Sequence, residues 1–100
     1  MSDKQIAYTI LTQIGGSLFC AMVGVKESSV IPGGVRIKFK ARARNRANAV
    51  DIRLNGNDLY DMRFFRIWRT TQTECGTVTD LYADSLEETF RNATGLATRF

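Results

Sequence analysis

The sequence predicts an α+β domain: an N-terminal helix, an antiparallel sheet of four or five strands and a C-terminal helix, both helices packed on one sheet face. Three observations predict it. Apolar residues recur at helical spacing near both ends of the chain, and apolar and charged residues alternate between them. The turn signals, Asn55-Gly56 foremost, leave connections too short for parallel crossovers. One hundred residues suffice for one core and not for two, so residues 1–100 are expected to form a single domain.

Residues 3–14 carry the first helix. Ser2 can cap it, with Gln5 completing a capping box and Asp3 at the positive end of the helix dipole. Ile6, Ile10, Leu11 and Ile14 share the buried face, and Gly15-Gly16 stops the helix. The apolar run at 17–24, SLFCAMVG, reads as a central strand covered on both faces, and VKESSVIPGG after it reads as a loop.

From Val35 the alternation is clean, with Val35, Ile37 and Phe39 facing in and Arg36, Lys38 and Lys40 facing out. ARARNRAN (41–48) continues the positive run through Arg42, Arg44 and Arg46, with alternation persisting at Ala41 and Ala43, and reads as the tip of a long hairpin. Val50, Ile52 and Leu54 alternate with Asp51 and Arg53 in the returning strand. A two-residue loop at Asn55-Gly56 would set Val50 against Asp61, so a bulged three- or five-residue loop is expected. The three-residue form sets Ile52 opposite Tyr60 and Val50 opposite Met62.

Tyr60, Met62 and Phe64 share the inner face, with Asp61 and Arg63 outside. The phase breaks at Phe64-Phe65, which predicts a bulge or an edge bend and puts Arg66, Trp68 and Arg69 together on the open face. TTQTECGTV (70–78) reads as a final strand or edge. A helix from about Asp80 to Ala93, with Tyr82, Leu86, Phe90 and Ala93 buried and Gly95 as its stop, completes the chain.

The net charge of +4 is unevenly distributed. Arg36 to Arg69 hold ten basic and three acidic residues, a balance of +7, against four basic and seven acidic elsewhere, −3. A basic middle invites phosphates or an acidic protein surface. No apolar run reaches the roughly eighteen residues of a membrane span. The N-terminus lacks the basic and apolar regions of a signal peptide, so a cytoplasmic protein is expected. Cys20 and Cys75 are too few for a disulfide framework and are expected to stay reduced and buried.

LNGNDLYDM (54–62) and DLYADSLEETFRNATGL (80–96) resemble a family of small bacteriophage, prophage and mobile-element proteins with an LNGxDLYD hairpin and a YADxLxxxFxxxTGL helix. ILTQIGGSLFCAMVGVK (10–26) fits that family's helix, double glycine and first strand; residues 27–34 and 41–48 match least. The resemblance implies a phage-like origin inside a bacterial host and supplies no catalytic residues.

The chain has no histidine, which removes Ser-His and Cys-His nucleophilic systems and the usual zinc sites. Cys20 lies in an apolar run and Cys75 beside Glu74, neither of which favours a thiolate. No enzyme activity, cofactor or metal is therefore expected.

The basic stretch carries the functional expectation. Six positive side chains lie within Arg36–Arg46 without an acid among them, and such a stripe neutralises phosphates in a salt-dependent way. The expected contact residues are Arg36, Lys38, Lys40, Arg42, Arg44 and Arg46, extended by Arg53, Arg63, Arg66, Trp68 and Arg69, with Trp68 and Phe65 as candidates for base stacking. Nucleic acid or a host nucleoprotein complex is the expected partner. Trp68 beside two arginines also has the composition of a protein-binding hot spot, which suits an inhibitor of a host defence complex such as an anti-CRISPR protein. The same charges also serve solubility and edge protection.

Overall fold

A computed structural model describes residues 2–40 and 42–98. The α+β architecture is as expected: helices at both ends of the chain and a five-stranded antiparallel sheet between them. Helix α1 (Asp3–Ile14) carries the Ser2–Gln5 capping box and buries Ile6, Ala7, Ile10 and Ile14. The sheet is a simple meander in the order β1 (Val25–Ile31), β2 (Gly34–Phe39), β3 (Ala49–Leu54), β4 (Tyr60–Trp68) and β5 (Thr71–Leu81). Helix α3 (Leu86–Thr94) ends at Gly95, whose left-handed φ of 72° lets its N–H reach the Arg91 carbonyl.

Several expectations are corrected. Residues 16–23 form a helix, α2 (Gly16–Val23), and not a central strand. Gly15-Gly16 does end α1, but it turns the chain by 72° into this second helix. Gly15 has a φ of 134°, and a Cβ there would lie 2.9 Å from that of Phe19. The run is apolar on more than its inner side, because Leu18 is exposed while Phe19 and Val23, one turn apart, fill the core. Residues 25–31, expected as loop, form β1, an edge strand whose polar side chains face solvent. Ala83–Ser85 form a 3-10 turn before α3, so Asp80 belongs to β5 and Tyr82 is exposed. Cys20 and Cys75 are free and half-buried.

The β3–β4 connection is the five-residue alternative, with Leu54 opposite Tyr60, Ile52 opposite Met62 and Val50 opposite Phe64. The register differs by two residues from the three-residue form, so every side chain keeps its expected face. Asn55 builds this turn. Its Oδ1 accepts from the Asn57 and Leu59 N–H groups, while its Nδ2 donates to Asp61 and Asp80.

The bulge expected at Phe64-Phe65 is present in the β4–β5 ladder, but no phase break occurs within β4 itself. The β3–β4 ladder runs unshifted through Phe64 and Phe65, and the extra residue lies across in β5, where Phe64 faces Gly76 and Phe65 faces Glu74. Phe65 therefore points to the face of Asp61 and Arg63, whereas alternation carries Arg66 and Trp68 to the side of Met62 and Phe64. Arg66 and Trp68 thus leave the open face to which they were assigned.

The core lies on one side of the sheet. Val35, Ile37, Phe39, Val50, Ile52, Met62 and Phe64 pack against α1, α2 and α3, with the rings of Phe19, Phe39 and Phe64 meeting Phe90 at 4.9–6.0 Å. Among the described residues no single helix is long and apolar enough to cross a membrane.

Gly34 marks where two strands come closest, since a Cβ there would fall against the Ile52 carbonyl and 2.8 Å from the Arg53 Cα. Backbone cannot step aside as a side-chain tip can. Gly34→Ala is expected to destabilise the protein by about 2–3 kcal/mol in urea titration. Gly56→Ala, which meets nothing within 4 Å, should stay within about 0.5 kcal/mol of the parent.

Candidate nucleic-acid interface

The eleven basic and aromatic residues singled out above separate into four groups, the last being Trp68 and Arg69 at the β4–β5 turn. Arg36, Lys38, Arg53 and Arg63 sit on the helix-free face, as alternation requires, but each has an acidic neighbour. Asp51, only 2% exposed, receives Arg36 Nε at 2.6 Å and Nη2 at 2.9 Å, with Arg53 Nη2 3.9 Å from its Oδ2. Lys38 lies 3.8 Å from Glu27, its register partner on β1. Arg63 meets Glu74 of β5 at 3.1 Å.

These pairs are set by register. Asp51 stands between Arg36 on β2 and Arg63 on β4, and opposite charges at facing positions attract. The hydrogen bonds that Arg36 donates to the Asp51 carboxylate raise its pKa above the ordinary value, against the opposing effect of burial. Glu74 is held below the usual carboxylate range by the Thr77 hydroxyl and then by Arg63. Such a lowered carboxyl stabilises the fold above its ordinary pKa and ceases to do so as pH falls through the lowered value, so the Arg63 pair persists at neutral pH. Phe65 is 4% exposed on this otherwise open face because the guanidinium groups of Arg36 and Arg63 lie 5.5 and 5.2 Å from its ring centroid.

Arg44 belongs to the second group, tied into the fold. Its N–H donates to the Thr94 carbonyl at 2.6 Å. Its guanidinium lies so close to Gly95 that a Cβ there would sit 3.1 Å from Nη2. A cation at the C-terminal end of α3 meets the negative end of the helix dipole. Arg44 is thus a clamp between the loop and α3.

The third group converges. Lys40, Arg42, Arg46 and Arg66 line a recess of about 620 Å³ with Phe39, Ala43, Ala47 and Asn48. Among the described residues, none of these four cations has a carboxylate within ion-pair distance.

The recess is built by the β2–β3 loop. Arg46 adopts a left-handed φ of 66°, closing a turn in which its N–H donates to the Ala43 carbonyl, and Asn45 Oδ1 accepts from the Ala47 N–H. The Asn48 side chain then imitates a backbone pair: Oδ1 accepts from the Ile67 N–H at 2.8 Å and Nδ2 donates to the Ile67 carbonyl at 2.9 Å. This stitch holds the loop against β4, where Arg66 Nη1 donates to the Arg46 carbonyl at 3.3 Å. Ala41 lies outside the described residues; the alternation expected through Ala43 gives way to this turn.

Trp68 and Arg69 stand at the β4–β5 turn, with Trp68 63% exposed and the Arg69 guanidinium 5.8 Å from its ring centroid. Sequence reasoning placed the cations correctly on strands and loop but missed Asp51 as their neutraliser and Asn48 as the organiser. An acid placed by alternation on a basic face was the available signal for the first. Comparison of the chain with protein-family models, curated proteins and solved structures finds no match.

Removing the Asp51 carboxylate leaves Arg36, whose side chain is 26% exposed, without its buried partner. Asp51→Ala is therefore expected to cost about 2–3 kcal/mol in urea titration, below the full cost for a wholly buried pair. Arg36→Met combined with Asp51→Leu should recover part of that loss.

Proposed function

We propose that this chain is a small non-enzymatic accessory protein of a phage or mobile element that binds nucleic acid or a nucleoprotein complex, working in the cytoplasm of a bacterial host. One observation carries the binding reading: Lys40, Arg42, Arg46 and Arg66 converge on one recess, with no carboxylate of the described residues in pairing distance. Like charges gathered without counter-charges repel one another, so the cluster is a cost in the free protein that a polyanion relieves. The phage-like origin rests on the resemblance of residues 54–62 and 80–96.

The contact surface therefore centres on Lys40, Arg42, Arg46 and Arg66, with Trp68 and Arg69 at the same end of the sheet. Arg36, Lys38, Arg53 and Arg63 contribute less, because phosphate must compete there with Asp51, Glu27 and Glu74.

Fluorescence polarisation with a labelled oligonucleotide tests this reading. Four phosphate contacts predict an affinity that falls about 50- to 150-fold between about 50 and 200 mM salt. Arg42→Ala/Arg46→Ala/Arg66→Ala should lower the salt slope by about 2–3, while Lys38→Ala/Arg63→Ala should change it by less than about 1. Absence of binding at low salt sinks the reading, and a triple variant that binds like the parent sinks the site.

A second reading, inhibition of a bacterial defence system by protein–protein binding, is favoured by the exposure of Trp68 beneath Arg69. Co-purification from a bacterial lysate should then capture one host protein in stoichiometric amount, lost with Trp68→Ala; an empty pull-down counts against it.

A further inference from the structure

We infer that the ligand of the basic recess is a single-stranded nucleic acid, one base of which stacks on Trp68 while its phosphates lie in the recess. The inference rests on the nucleic-acid reading above and adds to it the form of the ligand and the side chain that recognises bases.

Topology puts the two features together. In an antiparallel meander, alternate connections lie at the same end of the sheet, so the β2–β3 loop and the β4–β5 turn share one end. Alternation along β4 directs Trp68 to the same side as Arg66, about 7 Å further along the strand. An exposed indole thus stands beside a cluster of unpaired cations. That combination, a positive groove with an aromatic platform, is what holds single strands without regard to sequence. The Arg69 guanidinium over the same indole adds a third planar, cationic surface.

The charge distribution argues against a duplex. A double helix presents phosphates along two rails and keeps its bases stacked inside, where Trp68 cannot reach them without flipping one out. The surface suited to a rail would be an extended basic stripe. The sheet face that could have supplied it is neutralised by Asp51, Glu27 and Glu74. What remains is a concave site of about 620 Å³, a volume in the range that takes a small-molecule-sized segment such as one or two nucleotides.

Trp68 is the only tryptophan in the chain, so its emission reports on the site directly. The purified protein is titrated at low salt with oligo-dT, oligo-U, a hairpin duplex of matched phosphate number, and inorganic polyphosphate, which has charge but no bases. Both single strands should bind more tightly than the duplex and quench Trp68, and polyphosphate should bind without quenching. A stronger response to oligo-dT or to oligo-U then tells DNA from RNA, and either supports the inference. Trp68→Ala should weaken single-strand binding about tenfold or more and leave polyphosphate binding unchanged, with Trp68→Phe retaining most of the affinity.

The failures are separable. Equal binding of duplex and single strands with unmoved tryptophan emission overturns the stacking inference and leaves the phosphate site standing. Binding by neither polyphosphate nor any oligonucleotide overturns both. The exposure of Trp68 makes the alanine variant a mild one for folding, and an unchanged circular dichroism spectrum checks this.

Discussion

The carboxylate of Asp51 is the constraint on which the outer half of this structure depends. All three helices cover one side of a single sheet, so the other side has no second layer to bury its apolar atoms. A charge that is 2% exposed is costly to desolvate, and Asp51 offsets that cost by taking both prongs of Arg36 and the nearby charge of Arg53. Once Arg36 is fixed, its guanidinium lies by the Phe65 ring, and Arg63, held by its bond to Glu74, lies by the same ring. Two salt-bridged arginines thus do for Phe65 what a helix does for Phe64. The face is covered by charge pairs instead of by another layer of chain.

The same register logic explains why a second set of cations stays unpaired. Lys40, Arg42 and Arg46 lie outside the paired residues of β2 and β3, so no facing strand presents an acid to them. Asn48 sets where that loop lies. By occupying both the donor and the acceptor of Ile67, its side chain extends the β3–β4 ladder without continuing the strand, and this brings Arg46 beside Arg66. Arg44 pulls the loop the other way, onto the C-terminus of α3. The recess is what lies between these two attachments.

Much of this was legible in the residues. The capping box at Ser2, the inner faces of β2, β3 and β4, a turn at Asn55 longer than two residues and the Gly95 stop all follow from short-range rules that the fold obeys. The failures fall where those rules are silent. An eight-residue apolar run such as SLFCAMVG satisfies a buried strand and a short core helix equally, and only the packing of Phe19 and Val23 under α1 and α3 decides. VKESSVI has no apolar alternation because an edge strand needs none; its pairing with β2 supplies the order. The apparent phase break at Phe64-Phe65 misled for a related reason. A phenylalanine on the open face looks like an error of phase until two arginines are seen to cover it.

The charge asymmetry of the sequence also takes on a direction in space. Counted along the chain, it is a basic middle in an acidic frame. Folded, the acids of the frame on β1 and β5 neutralise their neighbours, as Glu27 does for Lys38 and Glu74 for Arg63. Asp58, Asp61 and Asp80 gather around Asn55 at the β3–β4 turn, one end of the meander. Lys40, Arg42, Arg46 and Arg66, without an ion-pair partner among the described residues, gather at the other end with Trp68 and Arg69. The result is a domain polarised from end to end. A field of that shape draws anions towards the basic end and away from the acidic turn. A count of arginines could not have given that axis, because it depends on which of them the register has already paired.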